Sequence, residues 1–337
     1  MRTRRSTFTA LFTGAALGVL AGCGGSTPGQ LPASVAPAFR APLEPDVHHN
    51  SWSKKAPMPH GYELPAAAAI GKKIYVVGGI DATLSPSAAN QIYDTATNKW
   101  STGAPMPTPR WDPGAAVVKG ILYAIGGNST LSSPTNVVEA YDPVHDSWSE
   151  KAAMPIANAP VVAAEGGLIY AVGGYANGSR FAGVYRYNPA TNTWTTRQPL
   201  KVGRSNPGIG TIGQKIVVAD GYTNAGTTTE TEVYTPATNR WKVVASDKTA
   251  TNAPCSGAVG ERLYLAGGQG AGSSVLKTTD SYSLPANSWK AEASMPQAVL
   301  GSASATDNGL LYCFGGSNQG FPSGGTTFYA DTQVYQP

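Results

Sequence analysis

A short apolar run ending in two glycines returns along this chain with a nearly fixed beat. Lys73-Ile74-Tyr75-Val76-Val77-Gly78-Gly79 is the first copy, and runs ending at Gly127, Gly174, Gly221, Gly268 and Gly316 follow, the fourth reading Asp220-Gly221 where the others have Gly-Gly. The first residues of the pairs stand at 78, 126, 173, 220, 267 and 315, a spacing of 47 or 48. Units repeated at this period bury their faces on their neighbours, so the copies form one toroidal domain, although 337 residues could make two. Charged residues are only 13% while Gly (40) and Pro (26) abound, and β-branched and aromatic runs are bounded by Gly, Pro and Asn. That pattern predicts an all-β chain of short strands.

A second column keeps the same time: Trp52, Trp100, Trp148, Trp194, Trp241 and Trp289. Seven residues before the last five stand Tyr93, Tyr141, Tyr187, Tyr234 and Tyr282, with Asp, Asn and Pro between as turn formers. Six residues after each Trp comes Met58, Met106, Met154, Leu200, Asp247 or Met295. Each unit therefore reads as four strands: an inner strand, the Gly-Gly strand, a Tyr strand and an outer Trp strand. The chain opens on a Trp strand and ends at Tyr335-Gln336-Pro337 without one, so the first strand must complete the last unit. From Trp52 to Pro337 are 286 residues, about 47.7 per unit, which gives six units. The Gly-Gly, Tyr and Trp columns resemble the kelch-repeat family over nearly everything after residue 50. That resemblance implies a six-bladed kelch β-propeller of four antiparallel strands per blade, with Trp, Tyr and Met as framework.

The first 22 residues read as a signal segment: basic Arg2, Arg4 and Arg5, then an apolar stretch from Phe8 to Leu20 too short for a bilayer of about 30 Å. Leu20-Ala21-Gly22-Cys23 resembles a bacterial lipobox, which implies lipidation at Cys23 and an exported bacterial lipoprotein. Gly24 after that cysteine points to an outer membrane or cell surface. Residues 23–47 are rich in Gly, Pro, Ser and Ala and read as a flexible tether below a domain spanning 48–337. Without the three arginines of the leader, basic and acidic residues nearly balance, which excludes a broad footprint for nucleic acid. A monomer is expected. Cys255 and Cys313 lie in strand-like segments of consecutive repeats and read as small buried thiols, since a bridge requires Cα atoms within about 7 Å.

Pro65, Pro113, Pro160, Pro207, Pro254 and Ser302 mark the start of each inner strand, thirteen residues before the Gly-Gly position. In a four-stranded blade the loops leading into the inner strands share one face with the loops after the Gly-Gly strands. The first set supplies Tyr62, Glu63, Arg110, Trp111, Asp112, Asn158, Arg204, Asn206 and Asn252; the second adds Asp81, Asn128, Tyr175, Tyr222, Gln269, Asn318 and Phe321. Arginines, carboxylates, amides and aromatics around a central depression make this the expected ligand-binding face. Kelch resemblance implies that Arg110 and Arg204 line the channel mouth, where a guanidinium fork suits a carboxylate; the alternative is arginines that bridge blades through backbone carbonyls and Asp112. Trp111, the one Trp outside the framework column, suits stacking on a sugar or aromatic ring.

His48, His49, His60 and His145 put no histidine pair on an inner strand, so neither a galactose-oxidase type copper site nor another metal or cofactor is expected. Phosphate-loop and nucleophile-elbow motifs are absent. The leading expectation is a ligand- or protein-binding module. One alternative resembles the kelch mutarotase that acts on N-acetylneuraminate, with Arg110, Arg204 and Glu63 holding a carboxylate and moving protons. A structural spacer in the envelope is the other.

Overall fold

In a computed structural model, residues 49–320 and 326–337 are described. The proposed signal segment, Cys23, the tether, His48 and Phe321 lie outside them. Residues 48–337 form one compact unit. It holds six sheets of four antiparallel strands, the six-bladed propeller expected from the repeats. The innermost strands are Ala66–Ile70, Gly114–Val118, Val161–Glu165, Gly208–Ile212, Cys255–Val259 and Ala303–Asp307, which define blades 1 to 6 in chain order. Among the described residues no helix is long and apolar enough to cross a membrane.

The ring closes as the mismatched termini require. Ser51–Lys55 pairs antiparallel with Thr332–Gln336, setting Trp52 opposite Tyr335. Blade 6 is thereby built from both ends of the unit.

The framework columns act between blades. Each outer Trp donates its indole N–H to a carbonyl of the preceding blade, Trp100 Nε1 to Ala56 at 2.9 Å and Trp148 to Ala104 at 2.8 Å, and so around to Trp52 and Ala293. A further column completes the clasp: Asn50, Asn98, Asp146, Asn192, Asn239 and Asn287 stand two residues before each Trp, all at positive φ. Asn and Asp tolerate that left-handed turn better than most residues. Each side-chain oxygen accepts twice, as Asp146 Oδ1 does from Tyr141 Oη at 2.6 Å and from the backbone N–H of Ala104 at 2.7 Å. These two donors hold the Asp146 carboxyl below the usual carboxylate range, the backbone N–H contributing most. Deeper in, the Gly-Gly strand tyrosine of one blade meets the third-strand tyrosine of the next, with centroids 5.6 Å apart for Tyr75 and Tyr141 and 5.8 Å for Tyr123 and Tyr187.

The first glycine of each pair sits at positive φ above the Met column. A Cβ on Gly126 would lie 2.2 Å from the Asn158 carbonyl and 2.7 Å from Met154 Cε, so the packing demands glycine there. Blade 4 breaks this rule twice over, with Asp220 at the glycine position and Asp247 at the methionine position.

Cys255 and Cys313 form a disulfide with Cα atoms 5.7 Å apart. The expectation of two buried thiols is thereby corrected. Neighbouring innermost strands converge on the channel, which brings blade 5 within bridging distance of the second strand of blade 6; periodicity along the chain carries no such inter-blade distance.

Candidate functional site

Arg110 and Arg204 were expected at the channel mouth, and their side chains are instead fully buried in the blade wall. Arg110 Nη2 donates to Glu139 Oε2 at 2.6 Å and Nη1 to the Val137 carbonyl at 2.9 Å, while Glu139 Oε1 accepts from Thr108 Oγ1 at 2.7 Å. Arg204 Nη2 is 2.8 Å from both Glu230 Oε1 and Glu232 Oε1, and Nη1 reaches the carbonyls of Asp220 and Glu230. Each guanidinium ties the loop before an inner strand to the third strand of its own blade. A guanidinium so enclosed offers its fork to protein carboxylates and carbonyls, and a ligand in the channel does not meet it. Of the bridging alternative only the use of backbone carbonyls holds: both guanidinium groups stay within one blade, pairing with Glu139 or with Glu230 and Glu232, and Asp112 takes no part.

Three other expected site residues are also buried. Tyr62 belongs to the core between blades 6 and 1. Glu63 exchanges both backbone hydrogen bonds with Ile80. Asn158 Nδ2 donates to the Gly173 carbonyl at 2.7 Å and its backbone carbonyl accepts from Gly127. With Glu63 and both arginines in the wall, the triad expected to hold a sugar carboxylate and move protons does not converge on the channel. Large or charged side chains at these positions pack under the loops because the loops are short and the next blade lies directly beneath.

Trp111, Asp112, Asn206, Tyr222 and Asn252 keep part of their surface on the loop face. Trp111 anchors its Nε1 on the Thr130 carbonyl at 2.9 Å and pairs its backbone with Asn128. Asn252 pairs its backbone with Gln269, and its side-chain Oδ1 is buried with no hydrogen-bond partner.

The channel mouth is drawn in by a belt of backbone. Leu64, Asp112, Asn206, Ala253 and Gly301, the residues before the inner-strand start, all have positive φ. Gly301 N donates to the Ala253 carbonyl, Ala253 N to Asn206, Leu64 N to Gly301 and Asp112 N to Leu64, at 2.7 to 2.9 Å. Blade 3, whose equivalent residue Ala159 is not at positive φ, is bypassed by a side-chain bar in which Asn206 Nδ2 donates to Asp112 Oδ1 at 2.9 Å. Crowding by the surrounding blades pushes the Asp112 carboxyl up to about 7, with the charge of Glu63 adding to the rise and the Asn206 bond opposing it. Below the belt lies a channel cavity of about 380 Å³, lined chiefly by Ala, Val, Pro, Gly, Ser and Thr of the inner strands.

Two extra hairpins stand on the same face beside the bar. Tyr175–Ala176 pairs with Ser179–Arg180 on blade 3, and Tyr222–Thr223 with Gly226–Thr227 on blade 4. Asn177 and Gly178, both at positive φ, make the two-residue turn that an Asn-Gly pair favours. The hairpins hold each other: Asn224 Oδ1 accepts from Arg180 N at 3.3 Å and Asn224 Nδ2 donates to Ser179 Oγ at 3.0 Å. Between them the Arg180 guanidinium lies 5.1 Å from the Tyr175 ring centroid and 4.8 Å from that of Tyr222. Arg180 belongs to no repeat column and is missed by sequence reasoning; the Asn-Gly turn just after a Gly-Gly pair is the one signal that marks its loop.

The family model for the KLHDC2/KLHL20/DRC7 Kelch-repeats domain matches residues 43–209, and that for the Kelch motif matches residues 251–296. No curated protein matches the chain. Among solved structures, that of YjhT superposes with a TM-score of 0.72 at 18% sequence identity, covering 82% of this chain and 95% of that one. At that identity the likeness concerns the fold alone. Repeat columns, blades and both matched models agree, and the chain belongs to the kelch-repeat family.

Proposed function

We propose that this protein is an exported, lipid-anchored binding propeller whose loop face over blades 2 to 4 takes a ligand or a protein segment. The observation that carries the reading is the pair of hairpins at Tyr175–Arg180 and Tyr222–Thr227, present on blades 3 and 4 in addition to the four-strand framework. They lock to one another, present part-exposed aromatic and polar side chains, and serve no inter-blade clasp of the kind the Trp and Asx columns provide. Rigid loops on a stable scaffold are where binding residues concentrate. Asn206 of the bar follows Ser205, which pairs its backbone with Tyr222 of the second hairpin, and Trp111 precedes Asp112 at the other end of the bar. Anchoring by Cys23 through a 25-residue tether would place this face within the cell envelope.

The test is a thermal-shift screen of the purified protein against neutral and acidic sugars, cell-wall fragments and peptides. A ligand at 100 times its Kd stabilises the fold by about 2.7 kcal/mol. The expected result is at least one hit whose stabilisation disappears in Trp111→Ala or Tyr222→Ala. Hits that survive both substitutions would reject this face.

A further inference from the structure

Resting on that binding reading, we propose that Arg180 makes the face a carboxylate site: its guanidinium, clamped between the rings of Tyr175 and Tyr222, is the anchor for an acidic ligand. The buried arginines, Arg110 and Arg204, each meet a glutamate. Arg180 has no ion pair and no side-chain hydrogen bond among the described residues. Its Nε is buried without a partner, while the residue as a whole is half-buried.

The clamp settles orientation. Two ring faces fix the guanidinium plane, and Arg180 N is held by Asn224. Gly203 lets the loop into blade 4 pass against this strand, since a Cβ there would lie 2.5 Å from the Arg180 carbonyl oxygen. The side chain has therefore lost most of its conformational freedom before any ligand arrives, so binding a carboxylate costs little further ordering. A fixed planar fork with free terminal N–H groups matches the two oxygens of a carboxylate, and charge-assisted pairs of this geometry are strong. An anion also restores the counter-charge that the surrounding rings do not supply.

The carboxylate could come from a sugar acid or from an acidic peptide, and the experiment separates them. The Arg180 Nε–H signal in a ¹⁵N correlation spectrum, assigned with Arg180→Lys, is followed during titration with glucuronate, glucose, acetyl-triglutamate amide and acetyl-triglutamine amide. The expected result is a saturable shift with glucuronate or triglutamate and none with the uncharged counterparts. The responding acid identifies the source. Affinity should fall at least tenfold in Arg180→Ala and only partly recover in Arg180→Lys, which keeps the charge and loses the fork. Both variants should melt within a few degrees of the parent, because no framework contact is removed.

No shift with either acid, an equal shift with the uncharged partners, or acid affinity unchanged in Arg180→Ala would each overturn the carboxylate site. Hits lost in Trp111→Ala or Tyr222→Ala yet indifferent to Arg180→Ala would leave the binding face standing without it. Failure of every hit to respond to the face variants would remove both.

Discussion

Arg110 serves the blade wall through its pair with Glu139, and its replacement should act on stability. In Arg110→Met the partner Glu139, buried to within a few per cent, is left without its cation. Breaking a buried pair from one side costs about 3–5 kcal/mol, since one charge stays in the wall uncompensated. Unfolding a unit of 290 residues carries an entropy of roughly 0.6 kcal/mol/K, so the melting temperature should drop by about 5–8 °C. Glu139→Gln should cost a comparable amount by stranding Arg110. The double variant Arg110→Met/Glu139→Leu removes both charges together. It then loses the hydrogen bonds to the Val137 carbonyl and from Thr108, about 1 kcal/mol each, and the longer one to the Ala124 carbonyl at 3.5 Å. Chemical denaturation of the four proteins gives the coupling energy, expected to exceed 2 kcal/mol in favour of the pair. A loss below about 1 kcal/mol in Arg110→Met, or ligand binding abolished with stability intact, would refute the structural role.

Three further outcomes follow from the same contacts. Replacing Cys255 and Cys313 by serine opens a loop of 58 residues and should cost about 4 kcal/mol, visible as an equal loss when the parent is melted with reductant. Stability should fall as pH rises from about 4 to 8, because burial pushes the Asp220 carboxyl up to about 8, with the charge of Asp247 adding, and holds Asp112 and Asp280 near 7 and 6. In that window the folded state binds protons that the unfolded chain has released, so ∂ΔG/∂pH is negative. Asp220→Asn should flatten the pH profile of denaturation midpoints, and a parent profile that rises through this range would contradict the assignment. Asp146→Ala strands Tyr141 Oη and Ala104 N and forces alanine to positive φ, a loss of about 1–3 kcal/mol read by thermal melting, whereas Asp146→Asn, as in the other five blades, should be tolerated.

The fold was legible because it is written six times. Gly-Gly, Tyr and Trp recur at one period, so each column testifies to the others, and the unmatched ends at Trp52 and Tyr335 reveal the closure. The Asx column is equally readable as turn residues two positions before each Trp, but its hydrogen-bond duty is to the preceding blade and does not show in one repeat. The site was far less legible. Repeats that carry Arg110 and Arg204 also carry Glu139 and Glu232 two residues before the framework Tyr, where others have Gln91, Tyr185, Asp280 and Gln333. That pairing is the sequence signal for buried ion pairs, and loops that share a face in the topology need not expose their side chains there. The disulfide depends on an inter-blade distance, and the Arg180 clamp on two hairpins from different blades meeting edge to edge. Neither is a property of one segment.

The most direct test compares Arg110→Ala, Arg204→Ala and Arg180→Ala side by side for melting temperature and for the shift produced by an acidic ligand at saturating concentration. The structure predicts a split: the first two melt several degrees early and, once folded at low temperature, still respond to ligand, while the third melts close to the parent and gives no ligand shift. Ligand response lost in Arg110→Ala or Arg204→Ala with melting unchanged, and kept in Arg180→Ala, would return the site to the channel mouth and contradict the placement argued from the hairpins.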